Sequence, residues 1–463
     1  MSGLFHANEP DTQSLLTTEL AMFTTDRGVA AKEIAGTGRR AMLLESERPP
    51  DAKSPMYTRT GAPGAIPFRS GFLDWQYRRE KSVLGVAEAE GQFLKRLEAT
   101  FCEPVGNTIG DSMDRFWLSW KSLADTPAAQ ARRHVREEGG LLACAFRRAS
   151  QALDELADCL HRDLESRTSL INDFAAGLAD LNRRIASAEA AGQAVPGLRQ
   201  RRSRILDRLA RLSQVRIEET YTGAANVSIG DTELVHAGEY RRLLAVDGHP
   251  ARGRDLGIVW EYSGCPVSFA GGEVGGLIRA RDTWLPETQN ALDALARCLV
   301  TAVNELHRRG AAQGGLPGAD FFDPLRVTAR LVQLHGRTAD NWGEEIVVGR
   351  TGARKDVDMA RAQVGLAERA VMPDGCSTFK GFYDSVVSTI RARRAAARDV
   401  AEAQNMLVEQ LAIHRRSDPG ASLDLELANM IKLQHASLAA ARVITTMDEA
   451  LNTVVEGMGI VGR

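Results

Sequence analysis

No stretch of the 463 residues approaches the roughly 18 uninterrupted apolar side chains that a membrane-spanning helix needs. A cleavable export signal is not expected either, because Glu9, Asp11, Glu19 and Asp26 stand where a signal would carry a basic and then an apolar run. Charge of one sign is also lacking. With a formal net charge of −2, the chain exerts no long-range pull on nucleic acid or on a membrane surface. Cysteine is sparse: Cys102, Cys144, Cys159, Cys265, Cys298 and Cys376 lie far apart with no C-x-x-C, so neither a disulfide framework nor a zinc knuckle is expected, and buried reduced thiols are.

The motifs of catalysis are missing in the same way. Cys159 and His161 form the one close pair of thiol and imidazole, but positions two apart on a helix point to different faces and cannot share an ion. His236, His249, His307 and His335 make no H-x-x-x-H or H-E-x-x-H pattern, and no serine sits in G-x-S-x-G. The cluster Gly271-Gly272-Glu273-Val274-Gly275-Gly276 lacks both the G-x-G-x-x-G spacing and a following Lys-Ser or Lys-Thr, so it reads as a tight turn leading into a helix. Basic runs at 199–204 and 391–394 have no interleaved aromatics to stack on bases and read as solvated helix faces. The chain is therefore expected to hold no catalytic group, metal or cofactor.

What remains is pattern. The chain is too long for one core, which predicts two to four domains. A moderately apolar segment from Leu15 to Ile34, interrupted by Gly28, predicts a helix; Pro49, Pro50, Pro55, Pro63 and Pro67 then mark an extended arm. Helical periodicity follows from about Phe72 to Phe101 and from about Ala128 to Ala190. In the second run Leu153, Ala157, Leu160, Leu164, Arg167, Ile171, Phe174, Leu178, Leu181, Ile185 and Ala188 alternate steps of four and three, the seam of a coiled coil, with Arg167 its one break. Beyond Gly192–Gly197, Leu198, Ile205, Leu209 and Leu212 predict a returning helix and thus a long antiparallel hairpin.

The period changes to two between about Glu218 and Gly276. Gly230-Asp231 between two alternating runs signals a hairpin, and 257–262 and 267–269 read as further strands. Helix is expected again after Pro286, with Leu292, Leu295, Leu299, Val303 and Leu306 on one face and Gly310 as the cap; a second irregular or β segment fills 311–375. Two last helices, 379–415 and 423–458, flank Ser417-Asp418-Pro419-Gly420. In the second, Met430, Leu433, Ser437, Ala440, Ile444, Met447, Leu451, Val454 and Met458 alternate steps of three and four, a helix–helix seam that needs a partner.

Several stretches resemble one family. Ile171-Asn172 with Leu181-Asn182 and Ile185 is similar to I-N-x-x-A…L-N-x-x-I; Gly275 to Pro286 resembles G-G-L-L-x-x-R-D-x-x-L-P; Leu292 to Gly310 resembles L-x-x-L-A…N-x-x-H-x-x-G. Leu423-Asp424 to Ile431 with Ala441 to Glu449 is similar to the terminal L-D-E-E-x-A-N-L…A-R-V-I-x-T-x-D-E. Together they resemble the flagellar hook-associated protein 1 family over roughly 72–458. The N-terminus departs from its S-N-N-I-A-N-x-x-T-P-G-Y pattern, keeping only Ile34 and Ala35.

The resemblance implies a non-enzymatic junction protein, exported unfolded through the flagellar type III apparatus and secreted to the hook–filament junction. It implies as partners further copies of the chain in an axial assembly, the hook protein, the second junction protein and an export chaperone, with neither nucleic acid nor membrane. The expected assembly and chaperone interface is Leu423, Leu427, Met430, Leu433, Ile444, Met447, Leu451, Val454 and Met458. The expected fold is mainly α with inserted β: a long helical hairpin and terminal coiled-coil helices carrying small β-rich domains, discontinuous and multidomain. Its divisions are an axial segment 1–45 pairing with 423–463, an arm 46–71, a helical domain 72–218 completed by 376–422, and a β-rich outer domain 219–375 that includes a helix 286–310. The second junction protein, a flagellin-like axial protein, or a cytoplasmic coiled-coil adaptor are the alternatives.

Overall fold

A computed structural model describes residues 68–101, 108–246, 257–312, 317–336, 346–351, 356–372 and 375–416. Within them the chain forms α1 (Phe68–Phe101), α2 (Ile109–Asp125), α3 (Ala129–Ala190) and α4 (Pro196–Leu212), then strands β1 (Val215–Glu219), β2 (Ala225–Ile229), β3 (Thr232–His236), β4 (Glu239–Tyr240), β5 (Leu243–Val246) and β6 (Gly257–Trp260). Next come α5 (Gly272–Arg279), a π-helical stretch Ala280–Trp284, α6 (Leu285–Arg308), α7 (Asp358–Gly365) and α8 (Phe379–Arg416). Residues 1–67 and 417–463, including the helices expected at 15–34 and 423–458, lie outside the described residues.

The seam read along 153–188 does bury. Leu153, Leu160, Leu164, Ile171, Leu178, Leu181 and Ile185 are all core residues of the 62-residue α3, which is about 93 Å long at 1.5 Å per residue. The returning α4 has 17 residues, about 25 Å, and cannot cover that length alone. It packs on the C-terminal part of α3, where Ile205 approaches Gly177, while α5, α6 and β5 also lie against α3. Arg167 breaks the seam because α5 meets α3 there, and its Nε lies 2.6 Å from Glu273.

Helix α2 was not expected from the periodicity. Thr108 caps it: its hydroxyl accepts the Asp111 amide (3.1 Å) while the Asp111 carboxylate accepts the Thr108 amide (3.3 Å), a reciprocal capping box. The face that follows, Met113, Phe116, Trp117 and Trp120, enters the core, where Phe116 packs on Trp117, Trp120, Phe321 and Phe322. Gly139 on α3 makes room for this cluster, since a Cβ there would stand 2.6 Å from the Phe321 ring.

The hairpin forms as read. Ile229 and Thr232 close the antiparallel β2–β3 pair around Gly230-Asp231, and Gly230 takes φ +57°, the left-handed conformation that favours glycine. β1–β4 make one antiparallel sheet in sequence order, and β5 pairs with β6 in a second. Residues 267–269 are not a strand: Pro266 makes an isolated bridge to Val259, Val267 donates to Ile258, and no ladder continues. The segment 311–372 carries isolated bridges and α7 but, among the described residues, no named strand, so the β content expected across 219–375 is confined to its first part.

The helix placed after Pro286 in fact starts at Gly272. Proline withholds an amide and crowds the carbonyl four residues back; the π-helical stretch Ala280–Trp284 immediately upstream, in which the Leu285 amide donates to the Ala280 carbonyl, lets the helix carry Pro286 without ending. Gly310 follows the capping residue Arg309 and has no positive φ. Its reason is closeness: a Cβ would stand 2.6 Å from the Gly349 carbonyl oxygen and 2.7 Å from the Met359 side chain.

Candidate assembly interface

The motif asparagines of α3 and α6 share one task. Each is a side-chain amide aimed at the backbone of a segment that has no helix partner of its own. Asn172 accepts the Leu243 amide and donates to the Leu243 carbonyl, both at 2.9 Å, and so holds β5 as a neighbouring strand would. Asn182, 1% exposed, donates to Ala225 (2.8 Å) and Ala237 (2.7 Å) and accepts from the Ala225 amide (3.0 Å) and from Arg202 (3.3 Å). Asn304 accepts both the Phe321 and Phe322 amides and donates to the Phe322 carbonyl, each at 2.9 Å. His307, one helical turn on, lies against the Ala319 carbonyl through Nδ1 and accepts the Val347 amide at Nε2, which fixes the neutral ring with its proton on Nδ1. The asparagines and histidine of these motifs are thus clamps that fasten strands and loops to two long helices.

The glycine cluster is a second junction. Gly272 has φ +75°, and a Cβ there would fall inside contact distance of the Leu212 and Ser213 backbone; one on Gly276 would stand 2.8 Å from the Val86 carbonyl oxygen. Three helices thereby approach closely. Between them Glu273, in the first turn of α5 where the helix dipole favours a carboxylate, accepts Arg167 of α3 (2.6 Å) and forms an ion pair with Arg211 of α4 (2.8 Å). Arg211 also reaches Glu88 of α1, as an ion pair at 2.9 Å without an aligned hydrogen bond.

The basic runs are only partly solvated. Arg202 is 5% exposed and pairs with Glu219 at 2.7 Å; Arg393 pairs with Glu287 at 2.8 Å, and Arg391 and Arg394 both engage Glu98. A hydrogen bond to Glu189, helped by Glu219, holds the Arg199 guanidinium above its ordinary pKa despite partial burial. Lys380 is raised in the same way by Asp114.

The described chain begins and ends at one place. α1 and α8 lie antiparallel: Tyr383 donates to the Phe101 carbonyl, Gln404 to Glu80 (2.6 Å), and Leu407 and Leu411 pack on Phe72, Leu73 and Tyr77. Arg415 closes this end, stacked 4.3 Å from the Tyr77 ring centroid and paired with Asp74 (2.7 Å) and Asp207 (3.0 Å). Burial works to lower its pKa; Asp207 and Asp74 overcome that and leave it raised. The expected interface residues Leu423 to Met458 lie outside the described residues.

Polar chemistry elsewhere is sparse. An open groove of about 560 Å³ lies between α3 and the π-helical stretch, lined by Asp154, Asp158, His161, Asp282 and Arg330 among others. Cys159 takes a hydrogen bond from Arg162, not from His161. Among the described residues no group of His, Cys, Asp and Glu could hold a metal ion, and no helix is long and apolar enough to cross a membrane.

One exposed carboxylate organises a loop. Asp356 accepts the amides of Arg350 (2.7 Å), Thr351 (2.9 Å) and Asp358 (3.3 Å), and these bonds, the Thr351 amide foremost, hold its pKa below the ordinary 3.8. A lowered carboxyl stabilises the folded loop fully above 3.8 and loses that contribution as pH falls through the folded value. Amide exchange at Arg350 and Thr351, normalised to the intrinsic rate, is therefore expected to accelerate over that acid range, and Asp356→Asn to remove the pH dependence. An unchanged profile in Asp356→Asn would contradict the assignment.

These features define a class: a helical scaffold whose polar side chains fasten the chain to itself and whose two ends leave side by side. The comparisons agree. The family model for the flagellar hook-associated protein FlgK helical domain matches residues 94–322. Flagellar hook-associated protein 1 of Bacillus subtilis (strain 168) is 24% identical over 507 aligned positions, covering 100% of both chains. The Salmonella typhi protein of the same name is 24% identical, covering 75% of this chain and 81% of its own. The flagellar hook junction protein FlgK from Burkholderia pseudomallei shares the fold, with a TM-score of 0.64 at 15% identity over 74% of this chain and 100% of that one. The chain is thus similar to the flagellar hook-associated protein 1 family, in its helical domain and along its whole length.

Proposed function

We propose that this chain is a structural, non-enzymatic junction protein of the bacterial flagellum, joining hook to filament. Axial coiled-coil packing of its ends and lateral contacts of the domains between them would make the joint. Support comes from the relatives' names together with one observation, the antiparallel α1–α8 pair, which sets the start of α1 beside the end of α8. A coiled-coil protein that packs through its termini needs that arrangement.

In this reading 1–45 pairs with 423–463 as the axial part, 46–71 is the arm, 72–218 with 376–422 is the helical domain, and 219–375 is the outer part. Leu423, Leu427, Met430, Leu433, Ile444, Met447, Leu451, Val454 and Met458 bind first an export chaperone and then neighbouring axial subunits. The assembled partners are further copies, the hook protein and the second junction protein.

Deleting the gene is expected to leave hooks in place, abolish filaments and release flagellin into the medium, with the full chain restoring filaments from a plasmid. Normal filaments on the hooks of the deletion strain would rule the proposal out.

A further inference from the structure

We propose that the exposed faces of α4 and α8 are the two halves of a lateral interface between neighbouring copies of this chain, α4 of one against α8 of the next. The inference rests on the side-by-side assembly proposed above and names the surfaces that make it.

On α4, Arg199, Arg202 and Arg211 each hold a carboxylate within the molecule. Arg201, Arg204 and Arg208 do not: they are exposed, follow steps of three and four along one face, and have no ion pair among the described residues. A stripe of three uncompensated guanidinium groups is a poor surface to leave alone, since like charges at helical spacing repel. The outer face of α8 supplies what that stripe lacks. Glu402, Met406 and Glu409 are exposed there, with Met406 at 58% a large apolar side chain facing solvent. Glu402 is met by Arg398 only at 3.7 Å, and Glu409 accepts an amide of Asn405 and no cation.

The spacing fixes the register. Read from Arg208 back to Arg201 the steps are four and three, and from Glu402 to Glu409 they are also four and three, each rising about 10 Å at 1.5 Å per residue. Laid antiparallel, Arg208 faces Glu402, Arg201 faces Glu409, and the aliphatic stem of Arg204 covers Met406. Laid parallel, the steps do not match.

Antiparallel is the direction that copies in one orientation present. Within a copy α4 runs with α1, since Arg78 reaches Asp207 and Gly85 abuts Arg211, while α8 runs against α1. The two faces belong to different helices of the same chain, so the contact is head-to-tail and propagates around a ring or helix of subunits. Paired charges at such a contact set register and partner choice more than raw affinity.

The test uses full chains in a strain lacking its own copy. R201E/R208E breaks no ion pair within the molecule, and E402R/E409R removes the 3.7 Å pair with Arg398 and the exposed Asn405–Glu409 hydrogen bond. Filaments restored by the wild-type chain are expected to be lost with either double reversal and regained when all four changes are combined, because the charges are then exchanged across the interface. Both double reversals behaving as wild type, or the fourfold variant doing no better than they do, overturns the proposal while leaving the junction role intact. Failure of the wild-type chain itself sinks both. Isolated junctions carrying R204C and M406C in one chain should give a ladder of bismaleimide-linked multimers absent from either single variant; links to a different protein or a bound nucleic acid in place of that ladder overturn the inference.

Discussion

Gly272→Ala is expected to destabilise the described domain by about 3 kcal/mol or more, because it combines two separate penalties. An L residue at φ +75° is strained wherever it stands, by roughly 1–2 kcal/mol. Here the new methyl would also be driven into the Leu212 and Ser213 main chain, which, unlike a side chain, has no alternative rotamer. Relief requires α4 and α5 to separate, and that stretches the contacts of Glu273 with Arg167 and Arg211. A denaturation midpoint measured beside Gly197→Ala, where a Cβ meets open space, isolates the effect. Equal midpoints for the two would show that the close approach is not there.

Asn182→Leu is expected to cost about 4 kcal/mol and to loosen the first sheet before the helices. The isosteric hydrocarbon keeps the volume and removes every bond. It leaves the Ala225 amide and carbonyl without their side-chain partner in a site that is 1% exposed, takes away a donor from Ala237, and withdraws one acceptor from the buried Arg202. Each orphaned buried group costs roughly 1–3 kcal/mol, which is why the sum exceeds the loss from an ordinary cavity. Hydrogen exchange should show the amides of β1 to β4 opening together while the centre of α3 stays protected. Loss of protection spread evenly over α3 would instead mean that Asn182 supports the helix and not the sheet.

Both residues stood in the sequence as parts of patterns, and what each touches could not be read there. The seam of α3 and the Gly230-Asp231 hairpin were legible because their information is local: a period and a two-residue turn. Asn182 is a different case, since its partners Ala225 and Ala237 lie 43 and 55 positions away, and nothing in a helical Asn announces which strand it will hold. The same holds for Asn172 with Leu243 and Asn304 with Phe321 and Phe322. Helix α2 has a local signal in Thr108 and Asp111, followed by Met113, Phe116 and Trp120 at helical spacing, but it is short beside the neighbouring runs. Residues 311–372 read as irregular or β, and the described part is irregular because backbone groups that would suit a ladder are satisfied by Asn304, His307 and Asp356. Of the expected interface, the heptad at 430–458 was entirely legible as a pattern and lies outside the described residues.

The π-helical stretch ahead of Pro286 has an effect beyond tolerating proline. Val274 and Leu292, 18 residues apart, would stand in line on an unbroken α-helix, five full turns from one another. One wide turn sets the downstream half out of phase by about 100°, a single residue's worth of rotation. Both side chains are nonetheless buried, because α5 faces α3 and α4 whereas α6 faces α3, α7 and α8. A single rod is thereby re-indexed midway so that it lines two different cores, and rotation at 280–284 would be felt by both.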